Sequence, residues 1–424
     1  MWLIRGEARM TNEGNDQARM TNDERSPNDQ MTKHGAESAH RRSDFVIPSG
    51  VGIRHSSLSS GLIATSAQLT ELLEKIEPVD RVAIDTEADS LHCYREKLCL
   101  LQVSVSAAVT DRGYDNAARD YIVDPLAELD LAPLCAVLAQ KEIVLHGADY
   151  DLRLLRRSLN FAACKIFDTV IAARLLGIGE FSLAALVDRF FGVKLAKGSQ
   201  KANWARRPLP ERMVEYAMND THYLLPLADR LESQLREQDR LAWLGQSCER
   251  AIEQAAAERV RNADEAWRIR GSGALRGSAA AVLRALWQWR EKEAEAVDRP
   301  AFHILQNDEL LRAAESFASG SVPDYRYFLP RRRRAFRDAA QSALQLPEDE
   351  WPVSRRRFGT RPSAEVVRRS EELRHRRDRA ARELELEPTF VAPRATLEAI
   401  AADQTRASAL LVPWQQQLLG TPRE

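Results

Sequence analysis

Acids and a tyrosine, spread over three short stretches, are the residues of this 424-residue chain best suited to chemistry. In "VAIDTEADSL" (82–91) an apolar run ends in Asp85, Glu87 and Asp89. Residues two apart in a strand point to the same side, so Asp85 and Glu87 present two carboxylates on one face. Like charges that close raise each other's pKa unless a cation lies between them. An oxygen-only donor set of this kind suits Mg²⁺ or Mn²⁺ rather than zinc. In "VLHGADYDLRLL" (144–155) a strand and a Gly turn lead into a helix start carrying Asp149 and Asp151. In "VEYAMNDTHYLLPLADRL" (214–231), read as one helix, Tyr216 and Asp220 are four apart and share a face. Taken singly, a polar strand end, an N-terminal helix acid and a packed tyrosine account for each stretch.

The elements that must position these residues follow from the hydrophobic pattern. "SAQLTELLEKI" has helical spacing, whereas "RVAIDTE", "KLCLLQVSVS", "DYIVDP" and "EIVLHG" are predicted strands, with helices at "LAPLCAVLAQ" and from near Asp149. Strands first, then strands alternating with helices, predict a mixed sheet flanked by helices over about 61–245. Beyond about Leu241 the strand signal disappears, and breaks at 271–278, near Pro323 and Pro330, and at 346–352 set off two helical modules, 278–347 and 363–424. Each module reads as a charged helix, a Pro-marked turn followed by Phe302 or Phe390, and a second Leu/Ala helix. Trp287, Trp289 and Phe302 are expected in the core of the first. Residues 1–45 repeat a polar phrase with almost no apolar content and are expected to be disordered.

The order and spacing of the three acid-bearing stretches resemble the DEDD exonuclease superfamily and, within it, the ribonuclease D branch. The first motif matches at Asp85 and Glu87 in "DTE", the second at Asp151 in "HGADYDLRLL", and the third at Tyr216 and Asp220 in "YAMND". With Glu215 and Tyr216 at the deciding positions, the third motif is the tyrosine version. "REKLCLLQVS", "FDTVIAARLLG" and "KGSQKANWARRPLPERMVEYA" extend the similarity over about 61–240. One departure is Asn203 before Trp204, where the family commonly has Asp. "DRPAFHIL" and "EPTFVAPRATLEAIA" in the helical modules resemble HRDC domains.

The resemblance implies a ribonuclease H-like α/β exonuclease domain followed by two all-α HRDC-like modules. It also implies metal-dependent 3′-to-5′ hydrolysis of RNA to nucleoside 5′-monophosphates, in the 3′ maturation of tRNA and other structured precursors. Asp85, Glu87, Asp151 and Asp220 would hold two divalent ions, Mg²⁺ or Mn²⁺. Tyr216 would orient the attacking water. Asp149 is passed over because the family acid stands directly before "LRLL", and His146 and Asp168 are expected to support the site. Lys97, Lys197, Gln200 and Arg207 are candidates for contacting substrate phosphates, of which Lys197, Gln200 and Arg207 lie within or beside the "KxxQ" stretch. The alternatives are a 3′–5′ exonuclease acting on DNA and a catalytically inactive RNA-binding scaffold; the absence of a P-loop and the retention of all the acids weigh against them.

Composition bounds the setting. Hydrophobic residues make up 44% and charged residues 29%, with no apolar run near the ~18 residues of a membrane span, so no membrane role is indicated. The N-terminal apolar stretch, interrupted at Arg5, is too short for a signal peptide. Five cysteines without a CxxC pair are expected as reduced thiols of a cytoplasmic, monomeric protein. The net charge of -1 hides a segment from Arg331 to Ala380 with fifteen Arg and no Lys against eight Asp plus Glu. That excess fits either a solvated, internally paired helical face or a phosphate-binding surface.

Overall fold

The Val82–Ile84 run forms the middle of β2 (Arg81–Ala88), and all three of these side chains are fully buried. The computed structural model describes residues 62–106, 118–196, 198, 200–257, 263–353 and 362–421; the polar stretch 1–45 lies outside the described residues. β2 pairs antiparallel with β3 (Leu98–Ser106), and β3 antiparallel with β4 (Ala118–Val123). On its other edge β2 runs parallel to β5 (Glu142–Leu145), which is parallel to β6 (Lys165–Asp168). A two-residue strand, β1 (Leu62–Ile63), joins β4 in parallel, completing a six-stranded mixed sheet in the order β1-β4-β3-β2-β5-β6. β1 and β6 were not expected from the sequence. At two and four residues they are too short to show a period.

Around the sheet lie α1 (Ser66–Ile76), α2 (Ala132–Leu138), α3 (Asp149–Leu159), α4 (Thr169–Leu175), α5 (Leu183–Phe191), α6 (Glu211–His222), α7 (Leu224–Glu237) and α8 (Leu241–Ala256). α1 starts on a Thr65–Gln68 capping box, and α5 runs from a Ser182 cap to Gly192, whose φ of 69° ends it in the left-handed region. The stretch expected to form one helix over 214–231 instead forms parts of two, α6 and α7, which meet at Tyr223. Pro226 explains the break: it cannot bond back to the carbonyl of His222 and its ring would clash there, but it is tolerated in the first turn of a new helix.

The helical half begins with α9 (Gly277–Ala296), α10 (Ala301–Ile304), α11 (Asn307–Ala318) and α12 (Pro330–Leu344). These enclose a core of their own around Trp267, Leu286, Trp289, Phe317 and Phe336. Trp289 is in this core and Trp287 packs against it, but Phe302 is 48% exposed, contrary to the core position expected for it. Then come α13 (Ala364–Glu383), α14 (Pro388–Val391), α15 (Arg394–Ala402), α16 (Ala407–Leu410) and α17 (Pro413–Leu419). α10 and α14 are the matching four-residue helices after the two long charged ones, and they carry Phe302 and Phe390.

The two groups of helices attach to the sheet domain differently. Leu386, Val391, Val412 and Trp414 belong to the same apolar core as Leu244 and Cys248, and Trp414 stacks on Trp243 with ring centres 5.0 Å apart. The α9–α12 group meets the loop after β2 through Tyr94, which packs against its core, and through polar contacts: Tyr94 donates its backbone N–H to Asp298 at 3.1 Å and its hydroxyl to Glu291 at 3.3 Å, and Arg95 pairs with Glu295 at 2.5 Å. No helix among the described residues is long and apolar enough to cross a membrane. All five cysteines are free.

Candidate active site

The acids gather at the end of β2, where its pairing with β3 slips. Glu87 faces Leu100 but Ala88 faces Leu98, so Cys99 is an extra residue, and a bulge of this kind re-aims the side chains beside it. Asp85 and Glu87 share the face covered by α6, which brings Asp220 over them. One carboxylate oxygen each of Asp85, Glu87 and Asp220 lie within 4.8 Å of one another.

Asp151 stands in the first turn of α3, buried, and its Oδ1 accepts the Thr86 hydroxyl at 2.5 Å. It is outside the three-oxygen cluster, yet its charge acts on all three of those acids. Thr86 was not singled out from the sequence. Its signal is its place between Asp85 and Glu87, which turns it to the opposite face of the strand, toward the second motif.

The electrostatics are those of crowded acids. Burial, then the charges of Asp151, Asp220 and Glu87, hold Asp85 well above the usual carboxylate range. Burial and then Asp220 and Asp151 push Glu87 up to about 9. Burial lifts Asp220 to about 7 against a hydrogen bond from Tyr216, and lifts Asp151 to about 6 against the bond from Thr86. Tyr216 is raised by burial and then by Asp220, Glu87 and Asp85, with a hydrogen bond to Gln200 acting the other way. Among the described residues no Lys, Arg or His forms an ion pair with these four acids. The donor chemistry, converging oxygens under mutual repulsion, fits a hard divalent cation.

The remaining residues singled out in the sequence are distributed as follows. Asp89 is a turn residue: it is buried and its side chain accepts the Lys97 backbone N–H at 2.8 Å. Asp149 pairs with Arg153 at 2.9 Å on α3. Asp168 caps α4 and accepts N–H bonds from Gly147 at 3.1 Å and Ala148 at 2.9 Å, fixing the turn that leads to Asp151. His146 bonds through Nδ1 to the Thr169 hydroxyl at 2.8 Å. Asn203 accepts the Ala205 N–H at 3.2 Å, and Trp204 is buried beside Tyr216.

Arg207 departs from the phosphate contact expected of it. Its guanidinium turns inward, donating twice to Asp124 at 2.6 Å and to the carbonyls of Trp204 and Cys99. Lys97 lies 3.8 Å from Asp298 and 4.0 Å from Asp89. Gln200 is exposed, and Lys197 lies outside the described residues. Beside Tyr216 and Asp220 opens a cleft of about 470 Å³ whose wall includes Lys201, Arg212 and Asn219.

In the Arg-rich segment part of the charge is paired within the fold and part is open to solvent. Arg332 pairs with Glu293 at 3.0 Å and Arg333 donates to the carbonyls of Arg326 and Phe328, while Arg331 and Arg334 are exposed. Arg355, Arg356 and Arg357 lie outside the described residues.

Comparison with known proteins meets this geometry from outside. A family model for a 3′-5′ exonuclease matches residues 61–236, and one for the HRDC domain matches 279–318. A ribonuclease D of Sphingobium indicum is 33% identical over 254 residues, 59% of this chain and 62% of that protein. The match thus spans less than two thirds of that relative's length. A ribonuclease D of Xanthomonas oryzae pv. oryzae is 29% identical over 367 residues, 84% of this chain and 95% of the relative. Among solved structures, RNase D of Escherichia coli, an exoribonuclease involved in structured RNA processing, shares the fold at a TM-score of 0.62 and 22% identity, covering 85% of this chain and 96% of that one. The acid-bearing sheet and the helical region after it are thus matched separately by the two family models and jointly by the Xanthomonas ribonuclease D, so the chain is similar to ribonuclease D in both parts.

Proposed function

We propose that the chain is a metal-dependent 3′-to-5′ exoribonuclease that releases nucleoside 5′-monophosphates and matures the 3′ ends of tRNA and other structured RNA precursors. The observation that carries this reading is the convergence of Asp85, Glu87 and Asp220 within 4.8 Å, with no protein cation paired to them among the described residues.

Asp85, Glu87 and Asp220 are the residues that would hold divalent Mg²⁺ or Mn²⁺, with Asp151 facing the cluster from α3 to serve a second ion. Bound there, two ions supply a water of lowered pKa and charge stabilisation at the leaving 3′-oxygen. Tyr216 keeps its proton because burial, and then the acids around it, raise its pKa, so its hydroxyl donates a hydrogen bond and orients the attacking water rather than acting as a base. Lys201 and Arg212, on the cleft wall, take the phosphates of the last nucleotides, with Gln200 bonded to Tyr216 at its edge. The exposed arginines of α12 hold the RNA body by phosphate contacts that carry no sequence information. The five free thiols suit a reducing cytoplasm, where the chain acts as a monomer.

The test is a product ladder from a 3′-extended tRNA precursor, with and without Mg²⁺ or Mn²⁺. Stepwise release of mononucleotides that needs the ion and is lost in Asp85→Asn supports the reading, and unchanged release by Asp85→Asn overturns it. The same ladder on a DNA strand of matching sequence sets RNA against DNA. RNA binding without any release would make the chain a scaffold.

A further inference from the structure

Gln102 of β3 is wholly buried, and neither its amide nitrogen nor its amide oxygen has a hydrogen-bond partner among the described residues. The pairing register places it directly opposite Asp85 on one side and Ile122 on the other. Directly opposed residues of antiparallel strands point to the same face, with Cβ atoms roughly 4.5–5.5 Å apart. Gln102 is therefore Asp85's neighbour on the face beneath α6.

The other surroundings are apolar: Leu100, Ile122 and Ala217 belong to the core cluster on this face. Trp204 Nε1 in the same cluster also has no partner among the described residues, but Gln102 leaves both ends of its amide open. Two positions along the same face, the Ser104 hydroxyl is served by Asp120 at 2.5 Å and by Thr221 at 2.7 Å. Buried amides are almost always hydrogen-bonded, and one that is not points to a partner acquired in the working state. The only polar group that the register sets beside it is Asp85.

We propose that Gln102 is a positioning residue of the nuclease site: when divalent ions are held by the acids, its amide N–H donates to the Asp85 carboxylate, directly or through one water, and fixes which oxygen faces the ions. The role rests on the metal-dependent reading above. It is the usual part of a residue behind a metal ligand, orienting the ligand without touching the ion.

Gln102→Met, of similar length and wholly apolar, tests it. An amide that serves no contact in the ion-free fold can be replaced by an apolar group of similar shape without loss, so the Tm of ion-free protein should stay the same or rise. Mn²⁺ affinity, read by calorimetric titration, should fall about 10- to 100-fold. Nucleotide release should drop at low Mn²⁺ and recover as the ion is raised to saturation, which a simple packing defect would not show. Unchanged Mn²⁺ affinity, or a fall of several degrees in the ion-free Tm, overturns the role. Mn²⁺ uptake that is lost in Asp85→Asn but intact in Gln102→Met overturns it alone. A wild-type chain that takes up no Mn²⁺ overturns the nuclease reading, and this role with it.

Discussion

The two ends of β2 handle acids in opposite ways. At its start Arg81 reaches Glu142, Asp229 at 3.1 Å and Glu232 at 2.7 Å, and Lys165 adds a second cation on Glu142 at 3.0 Å. Burial works against the Arg81 charge, but Glu232 and Glu142 more than offset it and leave its pKa raised. At the far end, within the same eight-residue strand, Asp85 and Glu87 meet Asp220 and Asp151 with no cation paired to them among the described residues. Where the fold uses carboxylates for its own sake it also provides the countercharge. Where it gathers them without one, protons or a cation from outside the chain must relieve the repulsion.

The sharpest way to break that comparison is at its uncompensated end. Asp85→Asn should cut metal-dependent nucleotide release on the order of 10³-fold while raising the Tm of ion-free protein, because it removes one member of a repelling cluster. Activity and calorimetry check both, and a lower ion-free Tm would mean that the acids are already compensated. At the balanced end the signs reverse. Arg81→Met strands partly buried carboxylates and should cost about 2 kcal/mol in urea unfolding, with release per folded molecule unchanged.

Tyr216→Phe leaves the acids in place and removes one oriented hydrogen bond, so a loss of roughly 10-fold in kcat with little change in metal affinity is expected. The acids also set a pH profile. The acids' folded-state pKa values lie above their ordinary 3.8 and 4.5, so the stability of the protonated forms is complete below about pH 4. It is lost as pH rises through about 6 for Asp151, about 7 for Asp220 and about 9 for Glu87. Ion-free Tm should therefore fall toward pH 9, Glu87→Gln should flatten the last part of that fall, and Mg²⁺ should raise Tm more at pH 9 than at pH 6.

The sequence revealed the parts of the site that depend on short spacing. Asp85 and Glu87 two apart on a strand, and Tyr216 and Asp220 four apart on a helix, follow from backbone periods alone, and so does the apolar run that carries the first pair. What it hid depends on contacts between distant segments. The hydrogen bond that turns Asp151 to Thr86, the bulge at Cys99 and the inward turn of Arg207 onto Asp124 each need a partner that no local pattern names. Gln102 looked like one more residue of a buried strand, and only the register set it beside Asp85. Phe302 misled for the same reason: helical spacing with Trp287 and Trp289 suggested a core position, but the α9–α12 group fills its core with Trp289, Phe317 and Phe336 instead.

Trp414 bears on how the chain is made. Its ring shares a core with Leu72 of α1 and stacks on Trp243, so the sheet domain draws part of its interior from a residue translated long after the clustered acids. During vectorial synthesis the apolar seam at Trp243, Leu244 and Cys248 stays uncovered until that helix emerges. A chain broken off before α13 keeps every acid of the cluster but leaves the seam open to aggregation and proteolysis, so products of a truncated message are expected to be cleared soon after synthesis.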